Sequence, residues 1–567
     1  MNRAFYLLLA AACVFAQSED SGFEPVRDDA RSVVATRYGI VATSQTLASA
    51  AGVKVLEAGG NAIDAAIAAN AITGLMEPTG SGIGGDLFAI VYEAKTGKLY
   101  GLNSSGWAPS GLTVEFLRSR GETSMPQKGI YSITVPGAVA GWDALHKRFG
   151  RAKWSDLFAP AIFYASEGFP VNELTAASWG SSEAASTIAS HPDAAKLFLP
   201  GGKAPKAGEI FHNPDLAGSL RVIAAEGRSA FYEGAIAKKI LAASKALGGT
   251  ITASDLSEFR SEWVTPISTE YRGWTVTELP PNGMGVAALM MLNLFERFPL
   301  GEWGHNSAKA LHTMIEAKKL AYADLLRYVG DPRFSKVPVQ QMLSKELAAA
   351  RASLIQPDKA ACRTVPSKLA SIAAHPGADT IYLSVVDREG NMVSLIQSNY
   401  LGFGSGVVPP GTGFMLQNRG ALFTIEPDQP NTLAPRKRPL HTIIPGFLSK
   451  GSTRIAFGIM GGWNQAQAHA QFVSNIVDFG MNVQQALEAP RFTKITFEGC
   501  EVSLESRVPE SVRRELEAMG HDLRMTGPYA QRVGGGQAVM RTEEGVNFGG
   551  SDPRKDGAAY PESPKFR

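Results

Sequence analysis

The stretch His375–Gly406, HPGADTIYLSVVDREGNMVSLIQSNYLGFGSG, decides how the rest of the chain is read. TIYLSVVD from Thr380 reads as a strand, REGN as a turn, and MVSLIQS from Met392 as a second strand, so the segment is a β-hairpin. Centring the turn on Glu389 sets Thr380 opposite Ser398. Directly opposed residues carry Cβ atoms about 4.5–5.5 Å apart on one face of a sheet. Two hydroxyls are therefore expected to meet at the open end of the hairpin, and a slip of one residue would send one of them to the other face. On pairing alone, this is equally a cross-strand Thr–Ser pair with no chemical consequence.

Outward from the hairpin, the chain alternates strands and helices in blocks. QTLASAAGVKVLEAGGNAIDAAIAANAITGLMEP predicts a helix over Ala48–Leu56 stopped by Gly59-Gly60, then an Ala-rich helix over Ala62–Met76 that is apolar nearly all round and so buried. TGSGIGGDLFAIVYEAKTGKLYGLNSS gives a glycine loop, a strand over Leu87–Tyr92, a turn at Lys95–Lys98 and another strand. The region from Trp154 to Ile355 reads as mainly helical with long loops, and HTMIEAKKLAYADLLRYVGDP as an amphipathic helix ended by Gly330-Asp331-Pro332. TRIAFGIMGG is a strand running into a glycine turn, followed by a helix, a turn and a helix. Such blocks predict a layered α+β or α/β core.

At 567 residues the chain far exceeds the roughly 100–200 of one domain. A formal charge of +2 gives no strongly basic domain of the kind that marks nucleic-acid partners. MNRAFYLLLAAACVFAQSED has the layout of a secretory signal with cleavage after Ala16, and its apolar run is too short for a membrane span of about 20 residues. Cys13 leaves a lipoprotein anchor as the alternative. Cys362 and Cys500 then remain, which permits one disulfide or two free thiols. No Cys/His spacing suggests zinc and no HExxH is present.

The hairpin resembles the processing site of the gamma-glutamyltranspeptidase family. The resemblance extends through GGNAIDAA, SGIGGDLF, VPGAVAGW, FYEG, ITASDL, ELPPNGMG, EAKKLAYADLLRYVGDP, APRKRPLHTIIP, NVQQALEAPRF and GGSDPR, in that order along the chain. It implies the N-terminal-nucleophile hydrolase fold, a four-layer αββα sandwich of the α+β class. It also implies scission at Asp379–Thr380, giving a large fragment (17–379) and a small one (380–567) that stay associated as one intertwined domain. The chemistry suits such scission. A threonine hydroxyl needs a base, and the freed α-amine of Thr380, with an unperturbed pKa of about 7.7–8.0, can supply one. By the same resemblance, Ser398 is the hydroxyl partner of the nucleophile and Gly461-Gly462 form the oxyanion hole. The expected substrate is a small amide or peptide, with no metal or organic cofactor.

Several positions depart from the glutathione-cleaving pattern. The arginine that grips the substrate α-carboxylate falls at Ser105, and the serine pair that also binds it becomes His441-Thr442. On the α-amine side a glutamine becomes Arg419 and an aspartate Leu422, and an asparagine near the nucleophile becomes Tyr400. Leu422 cannot pair with an ammonium group and Arg419 would repel one, whereas arginine grips carboxylates through two parallel hydrogen bonds. The pattern points to an acyl group with a terminal carboxylate and no α-amine, as in the acylase-like and oxamate-amidase-like branch; Arg419 paired with a nearby acid is the structural alternative. His441 reads as an acyl-pocket donor, a core histidine or a pH-sensitive group. Trp107 reads as a pocket or core residue, and the SGIGG loop before Asp86 as a close-packed turn.

Overall fold

The computed structural model describes residues 30–364 and 378–565; the expected signal segment, Cys13 and the start of the quoted stretch lie outside them. Two seven-stranded sheets stack face to face. The first runs Ala558–Pro561, Ile40–Thr43, Ala378–Val386, Met392–Leu401, Asp86–Glu93, Lys98–Ser104, Glu262–Val264. The second runs Val34–Thr36, Asn547–Ser551, Gly536–Arg541, Thr453–Ile459, Gly446–Lys450, Trp274–Glu278, Ile267–Tyr271. Every pairing within both sheets is antiparallel.

Period-two alternation sorts the side chains into layers. In Asp86–Glu93, Leu87, Ala89 and Val91 join a core shared with the helices Thr46–Glu57 and Ala62–Met76. Phe88 and Ile90 instead meet Tyr382, Ile396, Phe447, Ala456 and Val539 between the two sheets. Beyond the second sheet, Ile455 and Phe457 pack on the helices Gly285–Phe295, Ala308–Tyr328 and Gln465–Val477. Helix, sheet, sheet, helix is the αββα order expected from the resemblance.

Two readings change. The mainly helical region contains five strands: Phe169–Pro170 and Ile210–Phe211 pair with each other, and Glu262–Val264, Ile267–Tyr271 and Trp274–Glu278 are short and serve as edges or near-edges of the two large sheets. The helix Ala308–Tyr328, expected to be amphipathic, is instead buried continuously from Ala310 to Leu325, Lys318 and Lys319 included. Its buried polar groups are tolerated because they are hydrogen-bonded, while burial pushes the Lys318 pKa well below the ordinary lysine value. Lys319 Nζ lies 2.6 Å from Glu316, and Lys318 Nζ donates to the Thr496 carbonyl at 2.9 Å.

The cysteine alternatives resolve as a disulfide, Cys362–Cys500, with Cα atoms 4.7 Å apart. No helix among the described residues is long and apolar enough to cross a membrane.

Candidate active site

The hairpin forms with the expected register: Ile381 faces Gln397, Tyr382 faces Ile396 and Val386 faces Met392. The ladder shifts at Thr380, because Asp379 already faces Tyr400. Thr380 therefore sits in a β-bulge rather than a regular pair, and bulges re-aim side chains beside functional sites. Its hydroxyl still meets Ser398, Thr380 Oγ1 donating to Ser398 Oγ at 3.2 Å, with both residues buried. Ser398 Oγ also accepts the Tyr400 N–H at 2.8 Å. Tyr400 turns its N–H back to Ser398 by adopting φ +79°, a left-handed conformation costly for a bulky residue.

On the neighbouring strand Asp86 stands opposite Ser398. Thr380, Ser398 and Asp86 thus form a row across three strands, on the face that looks toward the second sheet. The glycine loop before Asp86 packs tightly here: a Cβ on Gly85 would come within 2.6 Å of the Ser398 carbonyl oxygen.

Asp86 organises the far end of the row. Its Oδ1 accepts from Gly106 N–H at 2.7 Å and Gln417 Nε2 at 2.9 Å. His441 Nε2 donates to Oδ2 at 2.8 Å, while His441 Nδ1 accepts the Ile443 N–H at 3.4 Å. That pairing fixes a neutral tautomer, and burial, reinforced by the Arg419 charge, pushes the His441 pKa down to about 4 against the pull of Asp86.

Arg419 is wholly buried. It donates from Nη1 to Thr442 Oγ1 at 2.8 Å, and its guanidinium lies 4.7 Å from the Tyr400 ring centroid. Its Nε stands 3.5 Å from Asp86 Oδ2, an ion-pair contact too long for a hydrogen bond. Nε and Nη2, the two nitrogens of the side-on fork, have no hydrogen-bond partner among the described residues. Burial lowers the Arg419 pKa to about 10, which keeps it charged at neutral pH. Burial likewise pushes the Tyr400 phenol up to about 12, opposed by Arg419 and by the Trp463 indole.

Ser105 is bonded to groups other than Arg419. Its hydroxyl donates to Asn103 Oδ1 at 2.8 Å and accepts from Asn282 Nδ2 at 3.2 Å, and Arg438 Nε holds its carbonyl at 2.9 Å. Arg438 and Asp86 are site-wall residues that the sequence reading did not select. Trp107 is a core residue: its indole donates to the Asp255 carbonyl at 3.2 Å and packs edge-on against Phe259. Leu422 is buried in the apolar core of the helix layer.

The second sheet supplies the opposing wall. Thr453–Ile459 ends at Gly461, whose φ of +112° only glycine adopts without strain, and Gly462 opens a short 3-10 turn leading into the helix Gln465–Val477. The backbone N–H groups of Gly461 and Gly462 find no acceptor among the described residues, and they sit where a helix start favours negative charge. The strand bearing Thr380 packs against this turn. A cavity of about 510 Å³ opens beside it, bordered by Gly461, Trp463, Gly402, Thr79, Gly534 and Arg532.

The arrangement is a buried hydroxyl pair on a strand that packs against a turn carrying two unengaged N–H groups, with a buried cation beside Tyr400 and Asp86. The family model described as Gamma-glutamyltranspeptidase matches residues 48–562. The chain belongs to the gamma-glutamyltranspeptidase family. It is 37% identical to the "Glutathione hydrolase-like YwrD proenzyme" of Bacillus subtilis, over 93% of this chain and 99% of that one. It is 33% identical to the "Oxamate amidohydrolase proenzyme" of Klebsiella pneumoniae, over 92% of this chain and 98% of that one. Among solved structures, a cephalosporin acylase from Bacillus halodurans superposes with a TM-score of 0.85 at 41% identity, covering 96% of this chain and 99% of that one. This gamma-glutamyltranspeptidase-family chain is accordingly an enzyme with the N-terminal-nucleophile hydrolase fold.

Among the described residues, one group has donors close enough to hold a metal: His312, Glu316 and His521. Its own bonds oppose that use. His312 Nδ1 and His521 Nε2 share a hydrogen bond of 2.8 Å, Lys319 occupies Glu316, and His312 Nε2 donates to the Gln356 carbonyl at 2.7 Å. Burial and the nearby Lys319 drive the His521 pKa down to about 3, so the cluster sits in a field already positive.

Proposed function

We propose that this enzyme is an exported, self-processing amidase that cleaves amides whose acyl group ends in a carboxylate. Scission of Asp379–Thr380 frees the α-amine of Thr380. The Thr380 hydroxyl attacks the substrate carbonyl carbon, its proton passing to that amine, directly or through water. Gly461 and Gly462 N–H groups receive the developing oxyanion; one such donor typically contributes about 2.7–4 kcal/mol. The amine then protonates the leaving nitrogen as the C–N bond breaks, and water hydrolyses the Thr380 ester. Ser398 orients the nucleophile. The fragments 17–379 and 380–567 remain together, and the proenzyme names of both curated relatives support such processing. The Cys362–Cys500 disulfide supports the exported reading, since such bonds persist in oxidising compartments.

The observation that carries the substrate class is the Arg419 fork, buried and short of two hydrogen bonds. A carboxylate oxygen pair satisfies both nitrogens at once. His441, Thr442 and Tyr400 shape the same wall. A glutathione-hydrolase reading, favoured by the name of the Bacillus subtilis relative, needs an acid for the substrate α-amine. The carboxylate beside this wall, Asp86, is already engaged by Gly106, Gln417 and His441.

The test pairs glutaryl-, gamma-glutamyl- and butyryl-anilides on purified enzyme. The expected order places glutaryl first, with Thr380→Ala neither cut nor active. A preference for gamma-glutamyl, or an active Thr380→Ala, would remove the proposal.

A further inference from the structure

Cys362 lies upstream of Asp379 and Cys500 downstream of Thr380, so the disulfide crosses the proposed scission point. We infer that Cys362–Cys500 is an interfragment bond: it makes the cleaved enzyme one covalent molecule, and its reduction is what lets the two chains part. The inference rests on the self-processing reading above.

The bond joins two folded segments, one from each proposed fragment. The segment Gln356–Thr364 follows the helix Lys345–Ala352 and precedes the scission point in sequence. Two backbone hydrogen bonds tie it to the small fragment, Ala360 N–H to the Met519 carbonyl at 2.7 Å and Gly499 N–H to the Cys362 carbonyl at 2.9 Å. Contacts within the large fragment position it from the other side. Lys319 Nζ donates to the Ala361 carbonyl at 2.9 Å, and Ala361 N–H to Glu316 at 3.2 Å. The two cysteines are thus presented to each other by folded structure on both fragments. Asp522 N–H holds the Cys500 carbonyl at 2.9 Å. Cys362 is exposed and Cys500 half-buried, so thiol reagents reach the bond.

The redox step balances simply. Two thiols lose two electrons and two protons to a disulfide-bearing oxidant by exchange, and a dithiol reductant returns them. The functional consequence is kinetic. In an uncut chain the bond closes a loop, but across a scission it converts fragment association from a bimolecular into an intramolecular event, with an effective concentration far above that of dilute enzyme.

The test runs matured wild-type enzyme on denaturing gels with and without dithiothreitol. The expected pattern is one band at the intact mass without reductant and two bands with it. Two bands in both lanes, with Cys362 and Cys500 alkylated as free thiols, overturns the inference while leaving self-processing intact. One band in both lanes overturns self-processing, and the interfragment bond with it. A Cys362→Ser/Cys500→Ser variant reads the consequence. In moderate guanidinium its activity half-life is expected to shorten at least about ten-fold and to fall further on dilution, because its fragments dissociate. The wild-type half-life should not change with concentration. Equal, concentration-independent half-lives overturn the stabilising role.

Discussion

At the scale of single residues, the site turns on how a buried cation is left incomplete. Arg419 spends one nitrogen on Thr442, leans on Tyr400 and shares the field of Asp86, yet its fork nitrogens go unsatisfied. An unmade hydrogen bond to a buried charged group costs more than a neutral one, about 1.5–3 kcal/mol. A substrate carboxylate recovers that cost on binding. Lysine at this position keeps the charge but loses the planar fork. Arg419→Lys is therefore expected to lower kcat/KM for glutaryl-anilide by about ten- to a hundred-fold, mostly through KM, with butyryl-anilide turnover changed far less. Steady-state kinetics on the two substrates reads the difference directly. His441 makes a second prediction. Its folded pKa, about 4, is depressed below the ordinary 6.5. Between those values the unfolded chain binds the extra proton and the folded one does not, so stability falls as pH drops from about 6.5 toward 4. The His441→Gln variant lacks this component, on the order of 2–3 kcal/mol. Denaturant titrations at pH 7 and pH 4.5 should show a smaller pH difference in the variant, and an equal difference would count against the neutral, buried histidine.

At the scale of elements, the hairpin was readable because its signal is local. A turn centred on Glu389 and strict alternation fix the register from Ile381 to Val386. The bulge at Thr380 was not readable, since it depends on how Tyr400 reverses its N–H toward Ser398. The same limit explains Asp86. Nothing near it in sequence announces His441, 355 positions away, as its partner, and only the sheet order brings them together. The edge strands from Glu262 to Glu278 were hidden for a different reason: they are short, and charged or polar residues break their apolar runs. The glycine turn after Ile459 was legible as a turn, and its geometry shows why glycine stands there. At φ +112° a side chain is strained, and a Cβ on Gly461 would also approach the Asn464 side chain at 3.2 Å. Gly461→Ala should cost about 1–3 kcal/mol of stability through backbone strain. If it swings the N–H away from the carbonyl, kcat should fall about a hundred-fold with KM little changed. A folded variant with wild-type kcat would show that this turn does not bear the oxyanion.

At the scale of the whole molecule, the proposed fragments are not two domains. In the first sheet, Ile40–Thr43 from the large fragment lies between Ala558–Pro561 and Ala378–Val386, and the residues it pairs with on either side, Ala558–Pro561 and Leu383–Val386, all belong to the small fragment. Asp86–Glu93 depends on Met392–Leu401 in the same way along one edge. In the second sheet, Val34–Thr36 pairs among the described residues only with Asn547–Ser551, and Trp274–Glu278 continues into Gly446–Lys450. Separating the fragments would strip Ile40–Thr43 of both neighbours. It would also open the apolar layer between the sheets, where Phe88 and Ile90 meet Tyr382, Ile396 and Phe447. Unpaired edges beside exposed apolar surface aggregate rather than persist. Residues 17–379 expressed alone are therefore expected to show no cooperative thermal transition and to precipitate. Co-expression with 380–567, begun so that Thr380 becomes the first residue, should restore one transition and amidase activity. Calorimetry and gel filtration of the separate and joint preparations decide the matter. A large fragment that melts cooperatively by itself would mean that the two layers of strands are less interdependent than their pairing requires.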